Sequence, residues 1–371
     1  MISSTTPHSE ARDTIPAGLE TQGEALSRGQ DLTIGIDVGG TKILAAVVDR
    51  HNRILGRAKI ATPAAQGETA LLAAIVGCLE EALREAHTNI EQVESIGVGC
   101  PGPLDTKAGV VLSSANLNVQ HFPLGPELAR VTGRPVLLEN DVRMGGYGEL
   151  KLGAGRDYDD LLIVFVGTGI GGCLVLDGQV RSGATGNAGE IGHTPIKPGG
   201  AKCGCGNRGC LEAYASRSAI SRRIVKQIRR GQPSILRAKL AKLDQPARLK
   251  SKDIQAAFEL NDPVVREAVE RSAHRLGLAL GGMINVLAPQ RVILGGGIVE
   301  ALGESYIDLV RASARRQAIA DPAAVVEIVA SQLGDDAGAL GAALWSREHQ
   351  HRHAPPASNF PVTEQPAFIE P

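Results

Sequence analysis

Twice along this chain a short apolar strand runs into a glycine-rich turn and leaves it as a second strand, and few folds accommodate that unit two times over. The first copy is Leu32 to Val38, Gly39-Gly40-Thr41-Lys42 and Ile43 to Asp49; the second is Leu161 to Val166, Gly167-Thr168-Gly169-Ile170-Gly171-Gly172 and Cys173 to Asp177. A third short strand follows each copy, Ile54 to Ala61 in one half and a segment beginning near Gln179 in the other. Apolar runs of this length bounded by glycine read as strands, and tight turns between them give a mixed sheet with an antiparallel start. Two such starts predict a duplicated α/β domain with weak internal similarity, whose two lobes enclose a cleft.

The intervening sequence fits that plan. Helical periodicity covers about 68 to 88, 124 to 132, 211 to 230, 262 to 288 and 336 to 346, with further strands at Ser95 to Gly99, Pro135 to Glu139 and Arg291 to Leu294. Cys100 to Asp105 reads as a loop. Residues 1–30 and 347–371 lack sustained apolar periodicity and are expected to be disordered tails, the histidines of 349–353 included. A chain of 371 residues has ample sequence for large cores, and its 39 basic and 40 acidic side chains leave a net charge of -1. That balance argues against broad electrostatic binding to nucleic acid or an anionic membrane. Aromatic content of 3% leaves little to stack single-stranded bases. No apolar run approaches the roughly 20 residues that span a bilayer. The N-terminus does not read as a secretory signal, so the expectation is a cytoplasmic protein whose partners are small molecules or copies of itself.

The first glycine turn, preceded by Asp37 and Val38, lies directly between two strands. Backbone N–H groups of Gly39 and Gly40 can wrap phosphate oxygens, Thr41 and Lys42 add donors, and Asp37 is placed for Mg²⁺ or its water shell. A plain structural turn is the alternative. The second turn, with Gly167, Thr168, Gly169 and Gly171, offers the same chemistry in the other half. Neither matches the Walker pattern, and the first does not open a helix as a dinucleotide site would. Gly295-Gly296-Gly297 closes a strand and suits either close packing of an adenine or ribose, or a tight turn into a helix.

His193 precedes Cys203-Gly204-Cys205-Gly206-Asn207-Arg208-Gly209-Cys210. Three thiolates and an imidazole complete a tetrahedral Zn²⁺ shell, which would be structural because all four ligands come from the protein. Cys78, Cys100 and Cys173 stand alone and read as small buried apolar residues. Glu190 and Glu212 flank the cysteine loop, and with His193 they suit a polyhydroxylated ligand, the alternative being surface carboxylates near a zinc knuckle. Asn140-Asp141 ends a strand at the junction of the halves. Asp141 there reads either as a base for an attacking hydroxyl in phosphoryl transfer or as the N-cap of a following helix. Asn116 is a hydrogen-bonding candidate or a plain loop residue.

Together, Asp37 to Lys42, Glu139-Asn140-Asp141, Gly167 to Gly172, Glu190-Ile191-Gly192-His193 and the run ending Cys210-Leu211-Glu212 resemble the ROK family of sugar kinases and sugar-responsive repressors, in the actin/hexokinase-like ATPase superfamily. The resemblance runs from about 32 to 346. It implies two ribonuclease-H-like (actin-like ATPase) lobes with an interlobe cleft and a zinc-binding loop: an N-terminal lobe over 31–140, a C-terminal lobe over 141–335, and the last helix packing back on the first. It also implies ATP held between the glycine turns with Mg²⁺ at its phosphates, and Asp141 as base. Asn116, Asn140, Glu190, His193 and Glu212 would hold the sugar, and His193 with Cys203, Cys205 and Cys210 would hold zinc. Asn116-Leu117-Asn118-Val119 lacks the aromatic that relatives commonly carry at its end. Gly183 to Glu190 resembles the glucokinase-like version of that segment, against N-acetylmannosamine, N-acetylglucosamine, fructose or allose kinases. Repressors of the family carry an N-terminal winged helix-turn-helix, for which the residues before Leu32 offer neither the length nor a basic patch. Relatives commonly form dimers or tetramers.

Overall fold

A computed structural model of the chain describes residues 31–240 and 249–350. The strands are β1 Leu32–Val38, β2 Lys42–Val48, β3 Ile54–Ala61, β4 Val93–Cys100, β5 Leu104–Asp105, β6 Val110–Ser114, β7 Val119–Phe122, β8 Val136–Asn140, β9 Leu161–Val166, β10 Ile170–Leu176, β11 Gln179–Val180, β12 Arg291–Gly295 and β13 Glu327–Ala330. They form two five-stranded sheets of one topology. The first runs β3-β2-β1-β4-β8 and the second β11-β10-β9-β12-β13. In each, the first three strands are antiparallel neighbours and the last two join in parallel. The duplicated α/β plan expected from the sequence is therefore present, strand for strand.

Central strands are buried along almost their whole length, as in β1 and β4, because helices cover both faces and leave no side for alternating polar residues. Helix Gly67–Glu85 covers the first sheet through Leu71, Ile75, Cys78 and Leu79. The second sheet packs against Pro263–Leu287, a 25-residue helix that starts on a favourable N-cap: Asp262 accepts from the N–H groups of Val264 and Val265, with proline in the first turn. The middle layer holds helices Asp141–Leu152 and Ala337–His349. The first carries three glycines and the second is rich in glycine and alanine, so backbones touch: a methyl on Gly341 would lie 1.8 Å from the Met144 carbonyl oxygen. Likewise, a methyl on Gly97 of β4 would lie 1.9 Å from the carbonyl oxygen of Ala342. The C-terminal helix is thus seated directly on the first sheet, at the far end of the sequence from it.

Several expectations are corrected. The segment 211 to 230 is two helices, Glu212–Ala215 and Arg217–Arg229, because Ser216 adopts an extended backbone and its hydroxyl accepts from the N–H of Ala219 to cap the second. The strand after the second glycine turn begins at Ile170, earlier than Cys173, since the last turn residues already pair with β9. Cys100 to Asp105 is only in part a loop: Cys100 ends β4, and Leu104–Asp105 is an edge of a small sheet, β5-β6-β7, that periodicity did not announce. The last helix continues to His349, three residues past its expected end at 346. Residues 1–30 and 351–371, expected as tails, lie outside the described residues. Among the described residues, no helix is long and apolar enough to cross a membrane.

Candidate active site

Between the two sheets lies a cleft of about 1940 Å³, lined from both glycine turns, the start of helix Asp141–Leu152 and the segment 186–193. Of the residues singled out from the sequence, Gly40, Thr41, Lys42, Asn116, Asn140, Asp141, Gly167, Thr168, Gly169, Gly171, Glu190, His193, Glu212 and Gly296 line it. Asp37 and Gly39 do not reach the lining, nor do Gly295 and Gly297. Of the three consecutive glycines, Gly296 alone faces the cleft. Gly295 is buried, and a methyl there would meet Phe165 and the Ser331 hydroxyl, while Gly297 opens the helix Gly297–Leu302.

Asp141 sits where β8 becomes a helix. The N-cap is Asn140, whose side-chain oxygen accepts from the N–H of Arg143 at 3.1 Å, so the capping role considered for Asp141 belongs to its neighbour. This leaves Asp141 at the first helical position, with one carboxylate oxygen taking the N–H of Val142 at 2.9 Å and the Asn140 amide at 3.1 Å. Burial raises its pKa to about 6; backbone donors and Arg143 oppose that shift and Glu190 adds to it. A carboxylate so poised is half ionised near the pH at which it would have to take a proton.

Asp37 is the penultimate residue of β1, behind the first turn. Its carboxyl is pushed up to about 7 by burial, then by the charges of Asp141 and Asp335, with Lys42 pulling the other way. Asp335 lies in the short turn before the C-terminal helix, ion-paired to Lys42 and 2.7 Å from the Lys59 ammonium, and these two lysines hold its pKa down to about 2. Sequence reading missed both Lys59 and Asp335. Only their distance in the chain hides them, since each alone is an ordinary surface charge.

The second turn is held differently. Thr168 receives a hydrogen bond from Arg217 on its hydroxyl at 2.5 Å and from Ser218 on its carbonyl at 2.7 Å. Glu212 accepts from the N–H of Ile170 at 3.0 Å, and a methyl on Gly171 would lie 2.5 Å from a methyl of Val142. The turn is thereby pressed against the residue next to Asp141 on one side and against the cysteine loop on the other.

His193, Cys203, Cys205 and Cys210 converge, their ligand atoms all within 4.8 Å of one another. The Cys203 sulfur lies 3.6 Å from Nδ1 of His193, and the sulfurs of Cys205 and Cys210 are 3.7 Å apart. A disulfide would need about 2.05 Å. A tetrahedron with metal–sulfur bonds of about 2.3 Å has edges near 3.8 Å, which these separations match. Nε2 of His193 points the other way, 3.8 Å from a Glu190 carboxylate oxygen on the cleft rim. Cys78, Cys100 and Cys173 are buried and apart, as expected.

A family model described as "ROK family" matches residues 33–349. A curated glucokinase of Streptomyces coelicolor is 34% identical over 319 residues, covering 85% of this chain and 98% of its own. An N-acetylmannosamine kinase of Haemophilus influenzae is 31% identical over 319 residues, covering 85% and 95%. Among solved structures, a ROK family glucokinase from Streptomyces griseus in complex with glucose and AMPPNP superposes with a TM-score of 0.74 at 34% identity, over 85% of this chain and 99% of that one.

Proposed function

This chain belongs to the ROK family, and from that premise we propose that it transfers the terminal phosphoryl group of ATP to the 6-hydroxyl of a hexose, with glucose as the preferred acceptor. One observation carries the reading. Asp141, the Glu190–His193–Glu212 rim and both glycine turns open onto one cleft, whose 1940 Å³ exceeds the roughly 300–1,000 Å³ of a single-ligand pocket and suits two substrates side by side. The glucokinase relatives and the neighbour holding glucose with AMPPNP support the same pairing of ligands.

In this reading, Asn116, Asn140, Glu190, His193 and Glu212 bind the sugar hydroxyls, carboxylates accepting and amides doing both. Asp141 takes the proton of the 6-hydroxyl as that oxygen attacks the γ-phosphorus in line, and the acid so formed shares its proton with solvent after product leaves. Backbone N–H groups of Gly40 and Gly169, with Thr41, Lys42 and Thr168, stabilise the negative charge on the phosphates, while the N–H groups of Gly39 and Gly167 are taken within their turns by the carbonyls of Lys42 and Gly169. Gly296 sits where the nucleoside end would lie. Mg²⁺ would fit beside Asp37, whose buried carboxyl is pushed up further by the charges of Asp141 and Asp335, a cost that a cation would offset. When bound, it would supply charge neutralisation to the phosphates. His193, Cys203, Cys205 and Cys210 would hold Zn²⁺ by donor type and spacing, and the ion would fix the loop that leads into Glu212.

A second reading has N-acetylmannosamine as acceptor, favoured by the Haemophilus influenzae relative. A coupled assay of ADP release across hexoses and N-acetylhexosamines tests both. Glucose is expected to give the highest kcat/KM. N-acetylmannosamine leading by tenfold or more would replace the glucose assignment, and release with no sugar in the panel would overturn the kinase reading.

A further inference from the structure

Arg143 is an arginine buried to 95% of its surface at a position that the proposed chemistry does not use. It follows Asp141 by two residues. Its guanidinium divides its donors between two places: Nε and Nη2 reach one carboxylate oxygen of Glu139, at 3.0 and 2.5 Å, while Nη1 donates to the carbonyl of Gly186 at 2.5 Å. The same Glu139 oxygen accepts from the N–H of Asn140 at 2.8 Å. An unbroken run of bonds therefore leads from the backbone N–H of Asn140, next to Asp141, through Glu139 and Arg143, which also lines the cleft, to the segment around Gly186.

That segment is packed on β10 at its end, where a methyl on Gly189 would lie 2.2 Å from the Gly172 carbonyl oxygen, but its hydrogen bonds are mostly local. Residues 183–189 contain no helix or strand, and Gly186, Asn187, Ala188 and Gly189 line the cleft directly before Glu190 and His193. Within it, Ala188 bonds back to Ser182 and Asn187 bonds to Thr185, both contacts local in sequence. Among the described residues, the bond from Arg143 is the one side-chain hydrogen bond that reaches the segment from elsewhere in the fold. We propose that Arg143 is a positioning residue that fixes the sugar-facing segment 183–189 against the Asn140-Asp141 junction, and so sets how tightly the acceptor sugar is held. Only arginine suits the place, because its rigid fork can satisfy a carboxylate with one edge and a carbonyl with the other, whereas a lysine presents one ammonium on a flexible stem.

The inference rests on the acceptor-sugar reading above, so its test includes a readout that does not. Arg143→Lys retains a charge beside Glu139 and loses the reach to Gly186. Arg143→Met leaves Glu139 buried and unpaired and is liable to misfold, so Glu139→Gln with Arg143→Met removes both charges together. In both the lysine variant and the double variant, amide hydrogen exchange over 183–189 is expected to quicken by tenfold or more while exchange in β1 and β9 stays unchanged. With the best sugar of the wild-type panel, KM for sugar should rise about tenfold, with KM for ATP within twofold and kcat falling less than KM rises. Unchanged exchange over 183–189 overturns the tether whether or not the protein is a sugar kinase. Faster exchange with an unchanged sugar KM, in a wild type that turns sugar over, overturns the role in acceptor binding. Equal loss in kcat and both KM values marks a general structural defect and also overturns it. If the wild type acts on no sugar, the kinase reading has failed, and the exchange result alone decides the tether.

Discussion

The two glycine turns occupy equivalent places in sheets of equivalent topology, yet they are held by opposite means. The first is backed by carboxylate and ammonium: Asp37 in the penultimate position of β1, with Asp335, Lys42 and Lys59 around it. The second has Phe165 in the penultimate position of β9, and its supports are hydrogen bonds from Arg217 and Ser218 and to Glu212, all from the segment that follows the cysteine cluster. The two halves thus carry glycine turns of one topology, one set among charged side chains and the other tied to the segment that follows His193 and the three cysteines.

That contrast can be broken from either side. Asp37→Ala should lower kcat/KM for ATP by about 10²- to 10³-fold, the cost of removing one preorganised electrostatic group. Phe165→Leu, at the equivalent position, should cost less than tenfold; similar losses in steady-state assays would mean the turns are not specialised. Next in size is zinc. Elemental analysis should find one zinc per chain, and its removal by a chelator, or Cys210→Ser, should worsen KM for both sugar and ATP by about 10- to 100-fold. Both substrates are affected because Glu212 joins the cysteine loop to the N–H of Ile170. An effect on sugar alone would show the second turn to be independent of the loop.

A pH profile gives a graded effect. Burial raises the Asp141 carboxyl to about 6, so the base is ionised above that pH and protonated below it. Turnover should be level above about pH 7 and fall tenfold per unit below 6; a profile flat to pH 4.5 would remove Asp141 from the proton transfer. The smallest expected effect is Lys59→Ala, about two- to threefold in KM for ATP, since that ion pair is half exposed and screened.

How much of this was legible in the sequence depends on the range over which each signal acts. Both turns, the strands beside them and the cysteine spacing are local, and the chain states them within a dozen residues. The break at Ser216 was also written locally, but the apolar spacing on either side of it masked the cap. By contrast, Asp335 meets Lys42 across 293 residues and Arg143 meets Gly186 across 43, and no periodicity marks either meeting. Asn140 rather than Asp141 as the cap was undecidable from composition, because both residue types cap equally well; the extended backbone at Asn140 decides it. The short strands β5 to β7, which carry Asn116 to the cleft, are too brief and too polar to show an alternating pattern.

The most direct test of the account is Asp141→Asn, assayed for turnover and titrated with sugar by calorimetry on the same preparation. The substitution keeps the shape and the Val142 contact while removing the basic oxygen. A fall in kcat of about 10³-fold or more with sugar Kd within threefold of wild type is the predicted result. A variant that retains near wild-type kcat would contradict the assignment of this carboxylate as the base, and with it the convergence of sugar, phosphate and zinc loop on one cleft.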